Sequence, residues 1–393
     1  MKLTDLFKEN KAVDSILNRK ENLASLSCVE ESLLVAAAFE KNPQNMILVK
    51  NNLFNAQKSY TYLRQILPEE NVLLFGVEES LRIEAIASSP EVMAGKIETL
   101  NRLNGSYKVL ITHGSGLVHR LPDPAYFRTS VISLEINQEY KMEEIASKLK
   151  KSGYEEVSRV DQPLTFARRG GIIDVYSINY SEPIRIEFFD TEIDSIRFFD
   201  IASQRTIRTV SRVEIIPATD ILFSEKDITE IHNKTAERMI KQKEILSSDS
   251  YAILEDNIAK DLDYIDNHIR ENYLYRYFAF LSEIHTITDY MKDPLIILST
   301  EEEIKNTLRN ALEENIAYLQ ELSQEQKMIP AFSVNADMSD VLAGRERFGV
   351  GQFIQGSSTC YSGIHQLNVP RLPLNTLLEG IRERNRTALF LLQ

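Results

Sequence analysis

"FARRGGIIDVYSINYSEPIRIEFFDTEIDSIRFFDIASQRTI", residues 166–207, alternates apolar and polar side chains at a period of two, with breaks of only a few residues. In "IRIEFF", Ile184, Ile186 and Phe188 fall on one face of a strand, with Arg185, Glu187 and Phe189 on the other. Connections such as "NYSEP" and "DT" are of hairpin length, so successive strands pair antiparallel. The pattern continues through "TIRTVSRVEIIPA", and a helix over Met142–Lys151, ended by Gly153, precedes it. Residues 127–218 therefore read as a small antiparallel α+β domain.

Upstream the period changes. Apolar strands at 46–50, 72–75 and 108–112 alternate with helical stretches over Ser32–Glu40, Leu53–Ile66 and Pro90–Arg102. That alternation favours a parallel α/β sheet over residues 1–126, closed by the proline-rich boundary "HRLPDPAYF" at 119–127. Residues 219–330 are mainly helical, broken by the buried-type strand of "DPLIILST" (293–300), which is expected to complete the parallel domain. The fold class is thus α/β with an inserted antiparallel domain. Residues 331–393 read as irregular, being rich in Gly, Ser and Asn, before a helix and a strand in "LNTLLEGIRERNRTALFLLQ". A sequence stopping in a core-type strand predicts a longer parent protein, and the domain boundary in this segment stays open.

A strand–turn–helix opening is where a phosphate loop belongs. The pattern G-x-x-x-x-G-K-[ST] works because glycines let backbone N–H groups close on phosphates and the lysine neutralises charge. Laid on "SLSCVEES", it puts Ser25 and Glu30 at the glycines, Glu31 at the lysine and Ser32 at the hydroxyl. Two carboxylates there repel a triphosphate. The plain alternative is a helix N-terminus, capped near Ser27 or Cys28, with acids favoured by the helix dipole. The metal-binding strand of an ATPase would end in Asp-Glu; "LIILST" has Ser299 and Thr300, and Glu301 to Glu303 open the next helix. No ATP hydrolysis is expected, and no cofactor.

Composition narrows the remaining classes. Of 393 residues, 43% are hydrophobic and 26% charged, with a net charge of −13. Extensive phosphate neutralisation on nucleic acid is disfavoured and a protein partner is favoured. Two cysteines, Cys28 and Cys360, suggest a reducing, cytoplasmic setting, and no apolar run reaches membrane-spanning length. Six histidines show no metal-ligand spacing. "DLDYIDNH" (261–268) reads as a solvated helix face, and the Tyr/Phe stripe of "ENYLYRYFAF" (271–280) as packing, with base stacking the sharper alternative.

The block at 166–207 closely resembles the domain 2 signature shared by the excinuclease protein UvrB and bacterial transcription-repair coupling factor (Mfd). The elements "RGGIIDVY", "IRIEFF", "EIDSIR", "FD" and "SQR" stand in order at the family spacing. The flank "LLFGVEESLRIEAIASSPEVMAGKIETLNRL" (73–103) looks like the coupling factor; UvrB has a tyrosine-rich hairpin there and a working phosphate loop. The resemblance implies an N-terminal UvrB-homology module, with domain 1a at 1–126, domain 2 at 127–218 and domain 1b at 219–330.

The resemblance also implies a non-catalytic adaptor that brings the excinuclease protein UvrA to stalled RNA polymerase. The family's contact positions fall on Arg169, Arg185 and Phe189, with Arg168 adjacent to the first. Glu187 and Asp190 are available as internal partners for Arg185, while Asp174, Asp194 and Arg197 read as structural polar residues. ATP, Mg²⁺, DNA and RNA polymerase would belong to further domains of the parent translocase, and its C-terminal region would fold back over domain 2. Two other classes stay open: a nucleotide-dependent UvrB-like repair helicase module, and a stand-alone DNA binder.

Overall fold

The computed structural model describes residues 2–351, apart from 20–21, 25, 88–89, 104 and 332, together with 359–360 and 362. The chain begins with α1 (Lys11–Asn18), β1 (Asn22–Leu23), α2 (Cys28–Lys41) and β2 (Met46–Lys50). It continues through α3 (Leu53–Ile66), β3 (Val72–Leu74), α4 (Leu81–Ala87), α5 (Pro90–Arg102) and β4 (Val109–His113). Two short helices, α6 (Gly114–Val118) and α7 (Pro124–Ser130), lead into the inserted domain: β5 (Ile132–Glu135), α8 (Met142–Lys151), β6 (Glu155–Glu156), β7 (Thr165–Arg169) and β8 (Ile172–Val175). It ends with β9 (Ile184–Phe189), β10 (Glu192–Phe199), β11 (Thr206–Val210) and β12 (Arg212–Ile215). Long helices α9 (Glu225–Ile245) and α10 (Ser248–Asp266) follow, then β13 (Leu295–Ser299), α11 (Glu301–Gln324), α12 (Met338–Leu342), β14 (Arg347–Val350) and β15 (Thr359–Cys360).

The parallel sheet has seven strands in the order β15-β1-β14-β13-β2-β4-β3. Its central members are buried at every position, as continuous apolar runs covered by helices on both faces must be. Met46 and Leu48 point into the core under α1, α2 and α3; Ile47 and Val49 point into the opposite core under α5, α6 and α11. Each such side chain contributes about 1.5–3 kcal/mol on burial. The expectation of an irregular segment over 331–393 is corrected by β14, which pairs parallel with β13 and adds Phe348 and Val350 to the core. Four residues carry too short a period to be recognised, and pairing on both sides supplies the strand. The helix and strand expected over 374–393 lie outside the described residues.

The inserted domain is a six-stranded sheet, β11-β10-β9-β8-β7-β6, with β5 and β12 paired separately. One face buries Phe166, Ile173, Val175, Ile184, Ile186 and Phe198 against Ile145 and Leu149 of α8. The β7–β8 turn requires its two glycines: Gly170 has φ +58°, and a Cβ on Gly171 would lie 2.9 Å from the Phe188 carbonyl oxygen. Beyond this domain, α9 and α10 pack with the 3₁₀ segment Asn272–Phe280. Tyr275, Tyr277, Phe278 and Phe280 are buried, so the aromatic stripe is core and offers no stacking surface. Nor is "DLDYIDNH" wholly solvated, because Asp261 is buried, pairing with Arg276 and accepting from Tyr277 Oη at 2.7 Å.

Where the chain leaves the parallel domain and returns, a buried charged cluster joins the parts. Lys96 Nζ lies 2.9 Å from Glu84 and 2.8 Å from Asp220. His119 Nε2 is 3.3 Å from the same Asp220 carboxylate, its ring stacked on Tyr275 with centroids 4.5 Å apart. Burial alone would raise the Asp220 carboxyl, but Lys96 and His119 hold it well below the usual range.

His113, at the end of β4, is buried and accepts from the Val77 N–H at 3.3 Å. Burial pushes its imidazole from 6.5 down to about 4. Between those pH values the unfolded chain binds a proton that the folded chain refuses, so stability falls with falling pH. His113→Gln should therefore reduce the stability loss between pH 7 and pH 5 by about 2 kcal/mol. Urea unfolding at both pH values checks this, and equal losses in both proteins would exclude His113 as the cause.

Candidate docking face and degenerate phosphate site

Register sets the exposed face of the inserted sheet. Asp174 pairs across the strands with Arg185, and Arg185 with Arg197. One row further, Arg169 pairs with Ile172, Ile172 with Glu187, and Glu187 with Ser195. Because side chains alternate along each strand, Arg169, Arg185 and Phe189 all belong to the face opposite the core. Phe189 is 80% exposed beside the β9–β10 turn, where Asp190 takes φ +58°. The glycine turn and this turn lie at the same end of the sheet, tied by the Phe188 N–H donating to the Gly171 carbonyl at 2.8 Å.

The three residues differ in how free they are. Arg185 is clamped: its Nε and Nη2 each donate to Asp174 at 2.7 Å, and Nη2 also reaches Gln204 at 2.8 Å. Its guanidinium lies 4.5 Å over the Phe199 ring, and the Asp174 carboxylate holds its pKa above the ordinary value. The internal partner is therefore Asp174; of the two acids anticipated, Glu187 is taken by Arg197 and by the Ser195 hydroxyl. Cross-strand register decides this, since Asp174 stands directly opposite Arg185 while Glu187 is two residues along the same strand. Arg168 Nε donates to Glu156 at 2.6 Å, on the core side of the sheet. Arg169 is exposed and has no ion pair or side-chain hydrogen bond among the described residues. A guanidinium with no ion pair among the described residues and an uncovered phenyl ring thus share one end of a face on which Asp174–Arg185 and Glu187–Arg197 are internally matched.

The segment on which the phosphate-loop pattern was laid is a capped helix start. Ser27 is the N-cap of α2: its hydroxyl accepts from the Glu30 N–H at 3.3 Å, and the Glu30 carboxylate accepts from the Ser27 N–H at 2.7 Å. Ser32 donates to the Cys28 carbonyl at 2.7 Å. Ser25 lies outside the described residues. Glu31 turns inward and meets Lys50 at the end of β2, Oε2 to Nζ 2.5 Å, with both side chains under a tenth exposed. Lys50 also donates to the Ser299 hydroxyl at 2.7 Å. Thr300, in the left-handed region at φ +62°, donates its N–H to the Val350 carbonyl, and Glu301 to Glu303 open α11. The two segments therefore meet in space, through a lysine that belongs to neither of them. The available signal was a single charge ending the apolar run "MILVK".

Among the described residues, no group of three or more His, Cys, Asp or Glu could hold a metal ion, and no helix is long and apolar enough to cross a membrane.

Residues 132–221 match the family model of the UvrB interaction domain. The chain is 28% identical over 350 residues to the transcription-repair-coupling factor of Bacillus subtilis (strain 168), covering 86% of this chain and 30% of that protein. It is 30% identical over 328 residues to the transcription-repair-coupling factor of Staphylococcus aureus (strain bovine RF122 / ET3-1), covering 81% of this chain and 28% of that protein. The chain thus spans under a third of the length of these curated relatives. It is an N-terminal module of the transcription-repair-coupling factor family, with residues 132–221 as its UvrB interaction domain.

Proposed function

We propose that this chain is a non-catalytic docking module which recruits the excinuclease protein UvrA to stalled RNA polymerase, through Phe189, Arg169 and Arg185 of the inserted sheet. The observation that carries the reading is the 80% exposure of Phe189 at the same end of the sheet face as Arg169, which has no ion pair among the described residues, where Asp174–Arg185 and Glu187–Arg197 are already matched. Exposed aromatic and arginine side chains of this kind concentrate binding energy at interfaces. The ATP-dependent translocation of the parent protein, its contact with RNA polymerase and DNA, and its ATP and Mg²⁺ would reside in other domains. In the parent, the C-terminal region would cover the same face until it is released. The module would act in the cytoplasm, where its partner works.

A nucleotide-dependent helicase role is opposed by the Glu31–Lys50 pair, which puts a carboxylate where phosphate charge would have to sit. Gel filtration of the chain mixed with purified UvrA tests the docking reading, with co-elution expected. Separate elution at concentrations well above micromolar would count against it. Melting with and without Mg-ATP tests the rest: no saturable rise in Tm is expected, whereas binding to the native state alone would raise it with concentration.

A further inference from the structure

We infer that the Glu31 carboxylate is the resident anion of the former phosphate position, a counter-ion tethered to the chain that fastens the two halves of the parallel sheet. Lys50 closes β2, before the inserted domain; Ser299 closes β13, after it. One ammonium group joins them, 2.5 Å from Glu31 Oε2 and 2.7 Å from Ser299 Oγ. In a phosphate loop the lysine sits on the helix and the anion comes from outside. Here the polarity is reversed, with the anion on the helix and the lysine on the neighbouring strand.

Geometry supports an anion held in place rather than a surface pair. Glu31 is 2% exposed, Lys50 and Ser299 each 7%. Glu31 lies in the first turn of α2, where backbone N–H groups and the helix dipole favour negative charge. Its second oxygen, Oε1, is buried without a hydrogen-bond partner among the described residues, so the carboxylate is held chiefly through Lys50. A buried ammonium cannot lose its counter-ion cheaply. The sheet is therefore closed without nucleotide, in a chain whose two sheet-forming segments are far apart in sequence. This inference concerns the parallel domain alone and does not depend on the docking reading.

Cutting Glu31 back to alanine removes an acetate-sized fragment, so free acetate is the probe. Melting temperature of the full chain is measured in sodium chloride and in sodium acetate at matched ionic strength and pH. Glu31→Ala should melt roughly 5–10 °C below wild type in chloride and regain a saturable part of the loss in acetate. Wild type and Glu31→Ala/Lys50→Met should show no acetate-specific rise. A folded Glu31→Ala protein that is as stable as wild type, or indifferent to acetate, would overturn the inference, as would saturable stabilisation of wild type. Should Glu31→Ala not fold, Glu31→Gln/Lys50→Met decides. A folded double variant supports an uncompensated lysine as the cause, and an unfolded one overturns it.

Discussion

Lys96→Met should lower the unfolding free energy by roughly 3–5 kcal/mol, the range seen when one member of a buried charge network is removed. Lys96 is 4% exposed and is the ammonium between Glu84 and Asp220. Without it, two carboxylates face one another beside His119, in a site that water does not reach. The loss has a recognisable signature. Adding Glu84→Gln and Asp220→Asn should recover part of it, because the unpaired charges go with the lysine. Urea unfolding of the single and triple variants measures both effects. A loss below about 1 kcal/mol would mean that the cluster is hydrated or that its charges are matched otherwise. Geometry is at stake as well as stability, since Asp220 is the first buried ionisable residue after the inserted domain and His119 the last before it.

Phe189→Ala should weaken binding of UvrA about 30-fold or more, roughly 2 kcal/mol, while leaving the melting temperature of the chain unchanged. A side chain that is 80% exposed contributes little to the fold, so lost affinity reports the interface directly. Arg169→Ala should behave in the same way, because that guanidinium has no internal partner among the described residues to release. Arg185→Ala should not. It strands Asp174 and uncovers Phe199, so binding and melting temperature should fall together. The split between two clean variants and one mixed variant follows from the hydrogen bonds alone. Titration calorimetry with parallel thermal melts checks it. Unchanged affinity in Phe189→Ala would move the interface elsewhere on the domain.

The antiparallel domain was legible because its signal is periodic: "IRIEFF" alternates cleanly, and two-residue turns leave no other pairing, while the register shift between Ile193 and Ser195 in "EIDSIR" came only with the structure. The parallel strands were legible as apolar runs. What could not be read locally depends on residues far apart. Asp174 and Arg185 form a pair only once β8 and β9 are in register. Lys50 matters only because β2 lies beside β13 and below the start of α2. Asp261 sits on a helix rich in carboxylates and is singled out by Arg276 and Tyr277 arriving from the following turn. Strand β14 shows little pattern and is held by its neighbours. The loss of the phosphate lysine was plain in "SLSCVEES"; that a second lysine answers Glu31 was not.

The most direct measurement is the amide hydrogen-exchange footprint of this chain alone and in the presence of purified UvrA. The expected result is slowed exchange confined to the two turns at one end of the inserted sheet, around residues 169–172 and 188–192, with the parallel domain unaffected. Protection centred on the parallel domain around α2 and α11, or no protection at UvrA concentrations that saturate a control partner, would contradict the assignment of the docking face.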